Sequence, residues 1–320
     1  MKRQKPSIVF MGTPEFAVPS LEVLIRNEYP VKAVVTAPDR PSGRGLRMKY
    51  SAVKNAALQY DLAVIQPSKL KDDDFIFRLK EISADIFVVV AFRMLPEKVW
   101  SLPPMGTVNL HASLLPLYRG AAPINHAIIN GEEITGVTTF IIEKEIDTGN
   151  ILMQEKEVIH KSDTAGTVHD RLMHNGANLL ERTIAAMAKD QVEPKPQDEI
   201  VSVTYIPKAP KLTTDFCRIT WSSDADRIYD FVRGLSPYPA AWTILVANDR
   251  RINVKIIEVK AIAAKHALVP GSLRIDKHRL MVAAGSGFIE VIKLKPEGRK
   301  QMTGPDFIRG FRPGEDPVFV

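Results

Sequence analysis

Along residues 1–189, short apolar runs recur at intervals that leave room for a helix between them. "SIVFMG" (7–12), "VKAVVTA" (31–37), a short run inside "DLAVIQP", "DIFVVVAF" (85–92), "GTVNLHAS" and "GVTTFIIE" (136–143) are continuous and rich in β-branched and aromatic residues. Such runs predict strands buried on both faces of a sheet. "PEFAVPSLEVLIRN" has apolar residues at helical spacing, and "TAGTVHDRLMHNGANLLERTIAAMA" (164–188) predicts a long helix with a Thr cap. Strands alternating with helices predict a doubly wound, mostly parallel α/β sheet, whose ligands lie beyond the carboxyl ends of the strands.

The pattern then changes. "AKDQVEPKPQDEI" and "YIPKAPKL" are rich in Pro and charge and read as a linker. After them come "FCRITWS", a helix near 223–234, and short strands in "WTILV", "RINVKIIEVKAI", "GSLRI", "LMVAAG" and "GFIEVIKLKP". Short strands at close spacing predict a small, OB-like β-barrel. The expected division is an α/β domain over 1–189, a linker over 190–212 and a barrel over 213–320.

Charge sharpens this division. The chain carries a net +6, but residues 206–320 hold 19 basic against 12 acidic side chains, a net +7, which leaves residues 1–205 at −1. A basic barrel joined to a near-neutral domain points to a polyanionic partner; the plainer alternative is a solvated basic surface. Composition, 45% hydrophobic and 25% charged, suits a folded core rather than a disordered chain. No apolar run approaches 18 residues, so no membrane helix and no membrane partner are expected. The basic start loses its apolar character at Gly12, Thr13 and Pro14, which argues against a signal peptide. A single cysteine, Cys217, excludes a disulfide framework and a Cys-based metal cluster. A cytoplasmic, metal-free monomer is the expectation.

Candidate chemistry concentrates in three stretches. "MGTPEF" follows the first strand but lacks G-x-G-x-x-G, so dinucleotide binding is unsupported. "PDRPSGRGLRMKYSAVK" (38–54) sets Arg40, Arg44, Arg47, Lys49 and Lys54 against Asp39 alone. Its two Gly and two Pro predict a long loop without regular structure, read either as a solvated insertion or as an arm that orders on phosphates. In "VNLHASLLPLYRGAAPI" (108–124), Asn109 and His111 fall on one face of a strand end. "EKEIDTGNIL" places Asp147, Thr148 and Gly149 in a turn. Together they suit an oxyanion donor (Asn109), a proton carrier (His111) and a carboxylate that orients it (Asp147). A Ser113–His111–Asp147 hydrolase triad is the competing arrangement, but Ser113 lacks the G-x-S-x-G elbow.

The segment "NLHASLLPLYRGAAPINHAIINGEEITGVTTFIIEKEIDTGNIL" resembles the signature of the formyltransferases that use 10-formyltetrahydrofolate. "VFMGTPEFAVPSLEVL", "TAPDRPSGRG", "IQPSKLK", "WSSDADRIYDFVRGLSPYPAAWT" and "GRKQMTGPDFIRG" extend the likeness over nearly the whole chain. The resemblance implies a Rossmann-like formyltransferase domain and a formyl transfer from 10-formyltetrahydrofolate to the α-amino group of methionine on initiator tRNA. It implies Asn109, His111 and Asp147 as the catalytic trio. It implies folate contacts from Ser113, Leu114, Leu115 and Pro116, and from Phe92, Arg93, Met94 and Leu95, with tRNA contacts from the five cations of the basic loop. "AFRMLP" (91–96) departs from the family's A-Y-G-x-x-L-P, with Arg93 where Gly is usual. Two other readings are a formyltransferase for an amino-sugar nucleotide and a catalytically silent RNA-binding protein on the same scaffold.

Overall fold

The computed structural model describes residues 5–42, 47–200, 205–247, 250–310 and 317–320. The strands of its first part are β1 (Ile8–Gly12), β2 (Val31–Val35), β3 (Arg40–Ser42), β4 (Arg47–Lys49), β5 (Val64–Ile65), β6 (Ile86–Val90), β7 (Thr107–His111), β8 (Arg119–Gly120), β9 (Ile134–Ile141), β10 (Ile151–Val158) and β11 (Lys208–Ala209). The helices alongside are α1 (Val18–Arg26), α2 (Ala52–Gln59), α3 (Asp73–Ile82), α4 (Glu97–Trp100), α5 (Pro123–Ile129) and α6 (Ala165–Met187). Two compact units result. One comprises Met1–Gly120, Thr135–Val158 and His169–Lys208; the other comprises Ala121–Ile134, Ile159–Val168 and Ala209–Val320.

In the first unit seven of the strands form one sheet in the order β10-β9-β7-β6-β1-β2-β5. The pairs β2–β5, β1–β2, β1–β6 and β6–β7 are parallel, and β9 runs antiparallel to β7. Every residue of β1 and β6 is buried, which is why neither shows polar alternation. Val9, Met11, Val35, Phe87 and Val89 pack with Phe75, Ile76 and Leu79 of α3 on one side. The chain leaves β1 toward β2 but returns on its other side as β6, so the order reverses between β1 and β6. A crevice opens at such a reversal, outside the carboxyl ends of the strands. Gly12 closes β1 there: a Cβ on it would lie 2.8 Å from the Ala17 Cβ and 3.1 Å from the Val90 carbonyl oxygen.

The long helix begins as expected, with Thr164 and Thr167 exchanging side-chain-to-backbone hydrogen bonds at its start. The basic stretch corrects the expectation of no regular structure. β3 and β4 pair antiparallel as a hairpin, with Arg40 opposite Lys49, Pro41 opposite Met48 and Ser42 opposite Arg47. Pro41 is tolerated because a two-stranded ribbon has free edges, where a missing N–H costs little. Arg44 lies outside the described residues, and only the backbone of Arg47 is described.

The second unit is built on β12 (Ala241–Ala247), β13 (Arg250–Ile262), β14 (Leu273–Asp276), β15 (Arg279–Ala283), β16 (Phe288–Pro296), β17 (Met302–Thr303) and β18 (Val318–Phe319), with α7 (Ala225–Leu235) and α8 (Gly304–Gly310). Its sheet runs β14-β15-β16-β13-β12-β18. It closes on itself where Leu273 N–H donates to the Pro317 carbonyl and Phe319 N–H donates to the Gly271 carbonyl. Closure removes the open edges of the sheet. Register shifts between Ile256 and Val259 bend the 13-residue β13 so that it can wrap. The interior holds Trp221, Leu245, Val254, Ile256, Val282, Ile289, Leu294 and Phe319. Cys217 is buried among them, as a core residue should be. α5 joins this unit: Asn125 Nδ2 donates to the Gly234 carbonyl at 2.7 Å.

One polar chain crosses the barrel core. Trp221 Nε1 donates to Thr243 Oγ1 at 2.9 Å, and that hydroxyl donates to the Val320 carbonyl at 3.0 Å. The Trp221 ring stacks on Phe319, 5.5 Å between centroids. Thr243→Val keeps the volume and strands the indole N–H, so a loss of roughly 1–3 kcal/mol is expected. Denaturant unfolding measures it; unchanged stability would show that the indole finds another acceptor.

Candidate active site

The carboxyl end of β7 carries Asn109 and His111, two residues apart and therefore on one face. Asn109 stands opposite Val89 of β6 and Phe140 of β9, and His111 opposite Thr138. Because Val90 is paired with Leu110 and with Gly12, the loops after β1, β6 and β7 emerge side by side. The site is thus assembled from three adjacent strand ends.

His111 is 7% exposed. Its Nε2 lies 3.0 Å from the Tyr118 carbonyl oxygen. A carbonyl only accepts, so Nε2 carries the proton and Nδ1 is left as the nitrogen that gains or gives one. Nδ1 faces Asp147 Oδ2 at 3.8 Å, so a proton arriving there meets negative charge. The same Oδ2 accepts the Gly120 N–H at 2.9 Å. Asp147 adopts a left-handed backbone, φ 54°, a conformation that Asp tolerates better than most residues. Beside this pair, Asn109 is half-buried, and among the described residues its amide has no hydrogen-bond partner.

The Asp147 turn is clamped from a distant segment. Ile151 and Lys195 exchange both backbone hydrogen bonds, which brings Gln197 under the turn. Gln197 is 3% exposed. Its Nε2 donates to the carbonyls of Asp147 at 2.8 Å and Gly149 at 2.9 Å. Its Oε1 accepts from Arg119 Nε at 2.9 Å and Nη2 at 2.6 Å. Gly149 has no alternative: a Cβ would stand 1.7 Å from the Ile141 carbonyl oxygen. Sequence reading missed Gln197, Arg119 and the Tyr118 carbonyl, because "KPQDEI" reads as linker and a backbone acceptor leaves no residue-type signal.

The turn after β7 is internally satisfied. Ser113 is fully buried, and its Oγ donates to the Leu117 carbonyl at 2.7 Å. Thr138 Oγ1 donates to the Ser113 carbonyl and accepts from Leu115 N and Gln154 Nε2. Leu115 and Pro116 are buried, the Leu115–Pro116 bond is cis, and of Ser113–Pro116 only Leu114 is half-buried. Ser113 is therefore committed away from His111, which removes the hydrolase triad. The three buried residues hold the turn, and Leu114 lies nearest its surface.

The loop leaving β6 places Phe92 and Arg93 half-buried, Met94 71% exposed and Leu95 buried. Arg93 donates through Nη2 to the Pro67 carbonyl at 2.8 Å and through Nη1 to that of Ser68 at 3.2 Å. Burial, and then the neighbouring Arg40 guanidinium, push the Arg93 pKa down. Arg40 and Lys49 are exposed on the hairpin. Lys54 is not free in the same way: its Nζ pairs with Asp39 Oδ2 at 2.5 Å, donates to Gln66 Oε1 at 2.9 Å and lies 3.9 Å from the Tyr50 ring centroid. Hydrogen bonds from Lys54 and Gln66 hold the Asp39 carboxyl below the usual range. Among the described residues no three His, Cys, Asp or Glu side chains converge as a metal site, and no helix is long and apolar enough to cross a membrane.

Comparison with known proteins places the chain in a family. Residues 5–184 match the formyl transferase family, and residues 211–312 match the formyl transferase C-terminal domain. The chain is 48% identical over 313 residues to a methionyl-tRNA formyltransferase of Bacteroides fragilis, covering 97% of each. It is 45% identical over 307 residues to one of Flavobacterium johnsoniae, covering 96% of each. Among solved structures, WlaRD, a sugar 3N-formyl transferase crystallised with dTDP and 5-N-formyl-THF, aligns at TM-score 0.64 and 18% identity over 92% of this chain and 99% of that one. HypX from Aquifex aeolicus in complex with tetrahydrofolic acid aligns at TM-score 0.59 and 13% identity over 99% of this chain and 51% of that one. At such identities these two likenesses establish the shared fold.

Gln197→Leu should leave the Asp147 and Gly149 carbonyls without their donor and Arg119 without its acceptor. The expected cost is roughly 1–3 kcal/mol, read by denaturant unfolding. Wild-type stability in that variant would mean that water replaces the amide and that the clamp is dispensable.

Proposed function

This chain belongs to the formyl transferase family and, within it, to the methionyl-tRNA formyltransferases, and from that premise we propose how its residues transfer a formyl group from a tetrahydrofolate-derived donor to methionine carried on tRNA. We propose further that the donor is 10-formyltetrahydrofolate, that the acceptor is the α-amino group of initiator methionyl-tRNA, and that the protein works as a cytoplasmic monomer. Residues 1–189 would carry the reaction, and 190–212 would link them to a tRNA-binding barrel over 213–320. The uneven charge, net +7 beyond residue 205, supports that division of labour.

The donor supplies a formyl group activated on nitrogen. The Asn109 amide donates to the formyl oxygen as that oxygen gains negative charge, and it acts as a pre-placed oxyanion donor because no group among the described residues occupies it. His111 takes the proton of the attacking amine on Nδ1 and returns one to the leaving nitrogen; its Nε2–H stays on Tyr118 throughout. Asp147, held by Gly120 and Gln197, keeps negative charge beside Nδ1 while the proton is there. The loop Phe92–Leu95 and the turn Ser113–Pro116 form the donor's cradle, through backbone groups and through Leu114 and Met94. This fits the burial of Ser113, Leu115 and Pro116 and the anchoring of Arg93 on Pro67 and Ser68. Arg40 and Lys49 of the hairpin meet tRNA phosphates, as do Arg44, which lies outside the described residues, and Arg47, and Lys54 fixes the hairpin's base through Asp39.

One observation carries the reading: an unpartnered amide on Asn109 next to an imidazole whose only transferable proton position faces Asp147. Incubating the purified protein with 10-formyltetrahydrofolate and charged initiator tRNA, beside an amino-sugar nucleotide, should formylate the tRNA alone. Formylation of the sugar nucleotide instead would overturn the proposed acceptor. Asn109→Ala should lower kcat about 10²- to 10³-fold with little change in donor binding. A near-normal kcat would remove Asn109 from the mechanism.

A further inference from the structure

Arg93, in the loop leaving β6, is held at a cost in stability. Its side chain is half-buried, and among the described residues no acid pairs with it. Its Nε–H is buried without a hydrogen-bond partner among the described residues. Its charged neighbour is another cation, Arg40; burial first, and that guanidinium second, lower the Arg93 pKa. The loop begins at Ala91 with φ 47°, a left-handed backbone that disfavours alanine. A partly buried cation, an unpaired donor, a like charge and a strained residue all work against folding. Such departures gather where function uses them.

What Arg93 gains is a pair of bonds, to the Pro67 carbonyl at 2.8 Å and the Ser68 carbonyl at 3.2 Å. These residues directly follow Gln66, and Gln66 is the hub of the hairpin's base. Its Nε2 donates to the Ala37 carbonyl and to Asp39 Oδ1, both at 2.8 Å, and its Oε1 accepts from Lys54 Nζ at 2.9 Å. Lys54 completes the triangle on Asp39 Oδ2. Asp39 precedes Arg40, the first residue of β3. A continuous chain of bonds therefore runs from the hairpin through Asp39, Gln66, Pro67 and Ser68 to Arg93. A second route runs through space, from the Arg40 guanidinium to that of Arg93. The hairpin is the element assigned above to tRNA phosphates, and Phe92–Leu95 the loop assigned to the formyl donor, so both routes join the two substrates.

We propose that Gln66 and Arg93 are positioning residues that couple the two substrate sites, so that tRNA on the hairpin tightens donor binding and the donor tightens tRNA binding. The proposal rests on the donor and tRNA assignments made above. A phosphate beside Arg40 cancels the charge that repels Arg93. Arg93 then holds Pro67 and Ser68 more firmly, and the donor meets a loop that is already ordered, which lowers the entropy lost on binding. Linkage makes the effect reciprocal: the donor must raise tRNA affinity by the same factor.

The probe is 5-formyltetrahydrofolate, whose formyl group sits on N5 rather than N10, so that both ligands can be held at equilibrium. Calorimetry measures its affinity for the full chain, alone and with saturating initiator methionyl-tRNA. In the wild type, tRNA should tighten the probe by at least about 5-fold, the lower end of ordinary coupling between sites. Gln66→Leu removes the hub, Arg93→Met removes the tie, and each should bring the ratio toward unity. Because they act in one chain, the double variant should lose no more coupling than the more affected single one. Arg40→Ala, measured without tRNA, should bind the probe more tightly than the wild type. Thermal unfolding checks the fold of each variant. Variants that weaken both measurements alike and keep the wild-type ratio would overturn the proposal, since a merely structural role does that. Weaker probe binding in Arg40→Ala would overturn it too, by making Arg40 a donor contact. A wild-type ratio of unity with tRNA bound would refute the coupling and leave the acceptor standing. Failure of tRNA to bind would count against the acceptor, and the Arg40→Ala arm, which needs no tRNA, would then decide whether the hairpin and the donor loop communicate.

Discussion

The hydrogen bond from His111 Nε2 to the Tyr118 carbonyl sets the terms for the whole strand end. It decides which nitrogen carries a fixed proton, and so it decides that Nδ1 does the chemistry. That choice is useful only because Asp147 faces Nδ1 and because Asn109 lies on the same face of β7. It also explains the abrupt turn after β7. The chain must reverse within a few residues to bring the Tyr118 carbonyl back to a ring only seven positions earlier. Ser113, Leu115 and Thr138 make that reversal rigid by satisfying one another inside it.

The carboxylate half of the pair is secured differently. Asp147 sits in a turn whose geometry is forced by Gly149 and whose carbonyls are tied to Gln197. Gln197 is in turn fixed by Arg119, one residue after Tyr118. Tyr118 and Arg119 therefore hold the two partners from adjacent positions: one binds the imidazole, the other binds the amide that positions the carboxylate. A disturbance at either residue would reach both partners, which is how a rigid scaffold keeps a proton carrier and its counter-charge in register.

The sheet was legible in the sequence because its central strands are unbroken apolar runs, and because the long helix announces itself with Thr164. Asn109, His111 and Asp147 were legible because alternation and a D-T-G turn can be read from residue types. The pairing of β3 with β4 was not, since Pro41, a strand breaker by residue type, sits here in a two-stranded ribbon whose free edges accept it. Gln197 hid in a Pro-rich stretch whose function depends on a two-bond bridge between Lys195 and Ile151, a tertiary fact with no local signal. The shape of the turn after β7 hid for the same reason. Its key acceptor is a backbone carbonyl, and Ser113, which looks like a nucleophile in a one-dimensional reading, is spent on Leu117. Arg93 looked like a departure from pattern, and the structure gives it a use, as a tie to Pro67 and Ser68.

The locked tautomer is the claim on which the rest depends, and nitrogen NMR of protein labelled with 15N-histidine addresses it directly. With His111 identified by comparison with His111→Ala, its Nε2 should give a signal that stays in the pyrrole-type range as pH falls, and its Nδ1 a pyridine-type signal that moves into that range on protonation. A pyrrole-type Nδ1 in the neutral ring would contradict the account, because the working nitrogen would then face Tyr118 and not Asp147.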